Sequence, residues 1–224
     1  EGVNALLGMV RKEFTERNSD FMLEFRQSYV GPSIIRYGNM LRAGDCAFDP
    51  ITNRTRIMDI RLQQYPLAVH ADMFYWAKDE DPKVCARMLL NTLFSVPQIS
   101  VLMANSLEDQ LKVVENYIRW WDDHRQVLLH GQLSVKGMDQ NYVYVSAEDE
   151  GLRIGAAYAA ATVKYDGKAL TLFNASTEGM LPVKASVPGL AVIYDHVGQK
   201  VSENEVKVGL NALEIPVGGR ADIR

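Results

Sequence analysis

At 224 residues, 47% hydrophobic and 23% charged, the chain has the composition of an ordinary globular protein with room for one large or two small cores. A net charge of −4, with no basic run longer than two residues, gives no electrostatic footing for nucleic acid or an acidic membrane surface. No apolar run approaches the about 20 residues that span a bilayer, and two cysteines, Cys46 and Cys85, are too few for a disulfide scaffold. The sequence starts at Glu1, so any targeting segment lies outside it and the compartment stays open.

Taken in chain order, apolar residues at 3, 6, 7, 10 and 14 recur with helical spacing, and Asn18-Ser19-Asp20 ends that helix. "FMLEF" (21–25) reads as a short apolar strand. Pro32 and Gly38 break the next segment, and "NMLRAGD" (39–45) reads as a second strand. Residues 54–64 have a helical pattern with Ile57, Ile60 and Leu62 among arginines, and "PLAVHADMF" (66–74) is a third strand. Asp81-Pro82 opens a further helix as N-cap and first helical residue, and "QISVLM" (98–103) reads as a fourth, buried parallel strand.

The segment 107–129 has the most regular helical pattern, with Leu107, Leu111, Val114, Ile118 and Trp121 on one stripe. Ser106 suits its N-cap, Glu108 and Asp109 suit the positive end of its dipole, and Gly131 supplies its stop. Trp120 and Trp121 read as core on such a helix, with sugar platforms as the alternative. After Gly131 the period changes. Runs such as "YVYVSAE", "ALTLFNA" and "GLAVIYDHVG" are short and β-rich, and Asp166-Gly167 is a hairpin signal. The pattern divides the chain into residues 1–130, where strands and helices alternate, and residues 131–224, an antiparallel β-sandwich.

The chemistry-bearing residues gather where the early strands end: Glu24 and Arg26, then Arg42 and Asp45, then His70 and Asp72. Strand ends are where α/β proteins place ligands, and carboxylates among sugar-sized polar groups suit acid/base work on a carbohydrate. Met40, Leu41, Ala43 and Phe48 offer Asp45 apolar neighbours that would raise its pKa. Each residue also has a plainer reading. Asp45, or Asp49-Pro50 after it, would cap the following helix. Glu24 would pair with Arg26, Arg36 or Arg42, His70 would be a satisfied core histidine, and His124 and His130 would be solvated. Cys46 would line a pocket and Cys85 would sit in a helix core. There is no metal-binding histidine or cysteine motif and no glycine-rich phosphate loop, so no cofactor or metal is implied.

The order of an acidic strand end, an Asp-bearing strand end, "IRLQQYPLAVHADM" (60–73), "YIRWWDDHRQVLLHG" (117–131) and a closing β-rich segment resembles glycoside hydrolase family 36, the melibiase-type α-galactosidases. The resemblance implies a retaining, two-carboxylate glycosidase built as a (β/α)8 TIM-type barrel with a C-terminal antiparallel β-sandwich. It implies that Asp45 is the general acid/base and that Glu24, Arg26, Arg42, His70 and Asp72 contact an α-galactoside-like substrate. Arg26 stands where the family has the Cys of Glu-x-Cys, Ser28 and Tyr29 replace a glycine-rich turn, and Arg42 stands in place of Trp. Gly44-Asp45-Cys46 replaces Ser-Asp-Asp or Ser-Asp-Asn, and an arginine at the old Cys position suits a carboxylated sugar or a reshaped pocket.

The family's nucleophile lies on a strand before Glu-x-Cys. FMLEF, NMLRAGD, PLAVH and QISVLM would then be the fifth to eighth strands of the barrel. That alignment implies a C-terminal half, with the nucleophile upstream and another segment or chain closing the barrel. Gly44-Asp45 with the upstream Gly-Pro-Ser and Arg is also similar to family 31 α-glucosidases and α-xylosidases. A non-catalytic carbohydrate-binding or structural remnant of the fold is the other alternative.

Overall fold

The computed structural model of the chain describes residues 1–26, 31–45, 49–64 and 67–224, without the side chains of Pro32 and Gln64. Ser28, Tyr29, Cys46 and Phe48, singled out in the sequence, lie outside the described residues. Helix α1 (Gly2–Arg17) buries none of its side chains, and the Phe14 ring stacks on Phe21, 4.4 Å between centroids, as the chain turns back. Strand β1 (Glu24–Arg26) follows, then a 3-10 turn over Pro32–Arg36 and strand β2 (Met40–Arg42). Helix α2 (Pro50–Gln64), strand β3 (Ala68–His70), helix α3 (Pro82–Asn91) and helix α4 (Glu108–His130) complete this part.

The three strands form a parallel sheet in the order β1-β2-β3, with Arg26 level with Arg42 and Arg42 level with His70. Asn39 sets the first pairing: its Oδ1 accepts from Leu23 N at 2.8 Å and its Nδ2 donates to Phe21 O at 3.1 Å. Gly38 is needed beside it, because a Cβ there would stand 2.5 Å from the Phe25 ring. Leu41 and Val69 are buried at the centre of β2 and β3, as inner positions of a parallel sheet require.

The helix caps match the sequence expectation only in part. Asp81 caps α3, accepting from Lys83 N at 2.7 Å, as its place before Pro82 predicts. Asp49, and not Asp45, caps α2: its Oδ1 accepts from Ile51 N and Thr52 N, both at 3.0 Å. The N-cap of helix α4 is Leu107, one residue after the expected Ser106, and the Gln110 carboxamide accepts from Leu107 N at 3.1 Å. Its buried face is also displaced from the expected stripe. Gln110, Val113, Tyr117, Val127 and Leu128 are buried, while Leu107, Leu111 and Ile118 are exposed. Gln110 takes a core position because its amide nitrogen, Nε2, donates to the carbonyls of Lys78 and Glu80 at 3.1 and 2.9 Å. Trp120 and Trp121 are packing residues. Trp120 meets Phe173 edge-on at 4.6 Å, and Trp121 Nε1 donates to Leu93 O at 3.1 Å. His124 is not simply solvated; it stacks on Trp120 at 4.0 Å.

Two buried arginines of α2 tie the elements together. Arg61 donates to Phe94 O, Leu128 O and Leu129 O at 2.8, 2.7 and 3.0 Å, closing the carbonyl end of α4. Arg54 donates to Asn141 O and Asn91 Oδ1 and lies 4.0 Å from the Tyr158 ring centre, and burial lowers its pKa. One apolar core runs from Ile34 and Leu41 through Leu89 and Leu128 to Val145, Ile154 and Phe173.

The remaining strands are β4 (Gln132–Lys136), β5 (Tyr144–Glu148), β6 (Leu152–Ala157), β7 (Val163–Tyr165), β8 (Ala169–Asn174), β9 (Met180–Ala185), β10 (Gly189–Tyr194), β11 (Lys200–Val206), β12 (Gly209–Glu214) and β13 (Arg220–Ile223). They form a seven-stranded sheet, β11-β10-β13-β8-β6-β5-β4, and a three-stranded sheet, β12-β9-β7. A second core, including Tyr165, Leu172, Val183 and Ile193, draws on both. The sheets are mixed and not purely antiparallel, since β6 pairs with β8, and β7 with β9, in parallel. The cause is local. Asp166-Gly167 does not close a hairpin; it carries the chain from β7 in one sheet to β8 in the other.

The expected half of a (β/α)8 barrel followed by an antiparallel sandwich does not form. Among the described residues there are four α-helices and thirteen strands in three sheets, and no barrel. Each parallel strand has only three residues, and "QISVLM" contributes one isolated bridge, Ile99 to Phe74, before a 3-10 turn at Met103–Asn105. Closure needs a full ring of tilted, staggered pairings, and three short strands supply none. The basis for expecting another segment or chain to close a barrel goes with it.

Candidate functional site

Parallel pairing brings the carboxyl ends of β1, β2 and β3 side by side, and with them the six residues singled out in the sequence. Arg26, Arg42 and His70 are the last residues of their strands and lie in one row across the sheet. Glu24 stands two residues earlier on β1, on the same face by strand alternation. Asp45 and Asp72 follow β2 and β3 after short turns.

Four of the six form one linked set. His70 Nδ1 lies 2.9 Å from Glu24 Oε2, and the Nδ1–H tautomer donates there. Arg42 Nε is 4.0 Å from Glu24 Oε1 and 3.8 Å from Asp72 Oδ1. The Asp72 side chain is fully buried, and that of Arg42 is 11% exposed. Arg42 Nε and Nη2 are shut off from solvent without a hydrogen-bond partner among the described residues, so charge holds this guanidinium in place. Arg26 and Asp45 form the outer pair, with Nη2 3.4 Å from Oδ2. Three carboxylates therefore face two guanidiniums and an imidazole.

Asp45 does not have the apolar surroundings expected of it. Its side chain is 62% exposed and beside Arg26, whereas Leu41 and Ala43 are buried in the core. Gly44 directs the turn, with φ of +126° and the Arg56 side chain 3.3 Å from where its Cβ would be. Of the partners expected for Glu24 (Arg26, Arg36 or Arg42), Arg42 is the one it meets; His70 joins it, and Arg26 turns to Asp45. His70 is accordingly a satisfied histidine at the edge of the cluster.

One residue that positions this site carried no sequence signal. Asn53, buried on α2, accepts from Asp72 N at 3.1 Å through Oδ1 and donates to Asp72 O at 2.9 Å through Nδ2. An asparagine within a helix ordinarily reads as a neutral surface choice. The backbone exit of β3 is further held by Ala43 N to His70 O at 3.0 Å and Ala71 N to Val96 O at 2.9 Å.

Elsewhere, Cys85 is buried in α3, and burial pushes its thiol up to about 12, which keeps it protonated. Among the described residues no group of three His, Cys, Asp or Glu side chains is arranged to hold a metal, and no helix is long and apolar enough to cross a membrane.

No protein-family model and no curated protein matches the chain. A solved structure titled "Structure of N2152 from Neocallimastix frontalis" aligns with 98% of the chain at 8% identity and a TM-score of 0.41, and the chain spans 64% of that protein's length. A likeness so distant carries no argument about fold or activity.

Proposed function

We propose that the strand-end cluster is a carbohydrate site of a glycoside hydrolase acting on neutral, α-galactoside-like sugars, with Asp45 as its general acid/base. The observation that supports this reading is the convergence of Glu24, Arg26, Arg42, Asp45, His70 and Asp72 at the carboxyl ends of three adjacent parallel strands. In open α/β sheets, ligands bind outside that edge. Sugar hydroxyls both donate and accept, so they suit carboxylates interleaved with guanidiniums and an imidazole. The resemblance to glycoside hydrolase family 36 rests on the same residues.

Within this proposal Asp45, the most exposed carboxylate of the cluster, protonates the departing glycosidic oxygen and then accepts a proton from water. Arg26 orients it. Asp72 is too buried to attack a sugar, and Glu24 is engaged by His70, so the nucleophilic carboxylate comes from outside this cluster. A second reading is favoured by the exposure of Asp45 and its pairing with Arg26: the cluster binds sugar without cleaving it.

The test compares hydrolysis of melibiose and of 4-nitrophenyl α-galactoside by the wild type and Asp45→Ala. Loss of melibiose turnover by about a hundredfold or more is expected. The first step on the aryl substrate, which needs no proton, is spared, and azide rescues the second. Galactose binding at the strand ends with no turnover of either substrate by the wild type supports the binding-only reading. Equal losses on both substrates would remove Asp45 from the role.

A further inference from the structure

A second polar site lies far along the chain from the strand-end cluster, on the face of the seven-stranded sheet. The register of β4, β5 and β6 places three rows across this face: Lys136 level with Tyr144 and Ala157, Ser134 with Ser146 and Gly155, and Gln132 with Glu148 and Arg153. The middle row has no long side chain, so the outer rows stand as walls over a floor of two hydroxyls. Gly155 is required for that floor, since a Cβ there would collide with the Tyr144 hydroxyl and displace the ring. Lys164 on β7 and Asp166 after it close the far side, giving a trough of about 270 Å³. That volume is just below the range of about 300–1,000 Å³ that holds drug-sized molecules, so the occupant is small.

The charges in the trough are unevenly matched. Arg153 takes both carboxylates: its Nε donates to Glu148 Oε2 and its Nη2 to Asp166 Oδ2 at 3.2 Å. Lys168 adds to the Glu148 end at 3.8 Å. Lys136 and Lys164 have no carboxylate within ion-pair distance among the described residues. Lys136 instead donates to Thr162 O at 2.8 Å and lies 5.2 Å from the Tyr144 ring centre. Partial burial first, and the neighbouring Lys164 second, lower its pKa, as two like charges facing one space would. The unbalanced charge is positive and lies beside hydroxyls and an amide.

We propose that this trough binds a small polyhydroxylated anion, a sugar bearing a carboxylate or sulfate. The anionic group sits between Lys136 and Lys164, and the sugar hydroxyls lie over Ser134, Ser146 and Gln132. The two lysines act as point charges toward the anion. The Arg153 fork, already occupied, fixes the wall and sets the width of the site.

The test is a ¹⁵N NMR titration of the full chain with methyl β-glucuronide, galactose 6-sulfate, methyl β-galactoside and sodium sulfate. Both charged sugars are expected to shift the amides of Ser134, Lys136, Ser146 and Lys164, and methyl β-galactoside to bind there about tenfold more weakly or worse. The variant carrying Lys136→Ala and Lys164→Ala should weaken both charged sugars by about tenfold or more. Lys164→Glu, a charge reversal at an exposed position, reads the same effect if the double variant does not fold. A preference for one charged sugar identifies carboxylate or sulfate as the natural group. Unchanged affinity in the variants, or sodium sulfate binding as tightly as the sulfated sugar, would overturn the proposal.

Discussion

The Asn53 carboxamide satisfies both backbone groups of Asp72, accepting from its N–H at 3.1 Å and donating to its carbonyl at 2.9 Å. Helix α2 is thereby fixed to the exit of β3, and the buried Asp72 carboxylate is held 3.8 Å from Arg42 Nε. A helix residue with no place in the chemistry sets where a charge of the site stands.

Replacing Asn53 by Ala should leave a buried N–H and a buried C=O without partners. Each such group costs about 1–3 kcal/mol, so a loss of about 2–6 kcal/mol in stability is expected by urea denaturation. Asn53→Asp keeps one acceptor, loses the donor and adds a charge beside Asp72, so it should be no milder. A midpoint within error of wild type for both variants would show that Asp72 is held by other means.

The dependence on Asn53 explains how far the site was legible in the sequence. Glu24, Arg26, Arg42, Asp45, His70 and Asp72 stand out because short apolar runs end at each pair, and parallel pairing of those runs is enough to gather them. The partners that position them are set by three-dimensional packing. Asn53 on α2 and Gln110 on α4 are polar residues in buried positions, and no hydrophobic period marks them. The same limit governs the sheets. The runs after Gly131 are short and β-rich as strands should be, but whether β7 pairs with its neighbour in sequence or joins β9 depends on contacts distant in the chain. Barrel closure falls under the same limit, since local pattern says nothing of which edges meet.

Asp49 offers a measurement on the acid side. Hydrogen bonds from the Thr52 hydroxyl, and then from its amide, hold the Asp49 carboxyl below its ordinary value of 3.8. A carboxyl with a depressed folded-state pKa stabilises the fold fully above its unfolded pKa, and that contribution is lost as pH falls through the folded value. Below about pH 4 the unfolded chain takes up a proton here before the native one does, so stability drops with falling pH. Asp49→Asn keeps a capping oxygen and removes the charge. It should flatten the part of the stability–pH curve below about pH 4, whereas Asp49→Ala should cost about 1 kcal/mol at neutral pH through loss of the cap. Thermal unfolding from pH 2.5 to 7 checks both, and an unaltered acid slope in Asp49→Asn would assign that slope to other carboxylates.

The arginines at the strand ends bear on which sugar the site accepts. Read from sequence, the resemblance puts Arg26 at a Cys position, where an arginine suits a carboxylated sugar or a reshaped pocket, and Arg42 at a Trp position. In the fold neither guanidinium faces open solution alone: Arg26 Nη2 is 3.4 Å from Asp45, and Arg42 Nε lies between Glu24 and Asp72. A uronate entering here would meet three carboxylates already sharing two guanidiniums, and like charges brought together at a binding surface cost several kcal/mol. A neutral sugar avoids that repulsion and can donate its hydroxyls to the same carboxylates. Methyl α-galactoside is therefore expected to shift the Glu24, Arg42 and His70 amides with an affinity about tenfold or more above that of methyl α-galacturonide. Asp45→Asn, which removes one of the like charges at an exposed position, should narrow the gap. Measuring in the variant with Lys136→Ala and Lys164→Ala keeps binding at the sheet-face trough from being read as binding here. Equal affinity for the two sugars at the strand ends would mean that one of the arginines leaves its carboxylate to receive the uronate, and the assignment of a neutral substrate would fall.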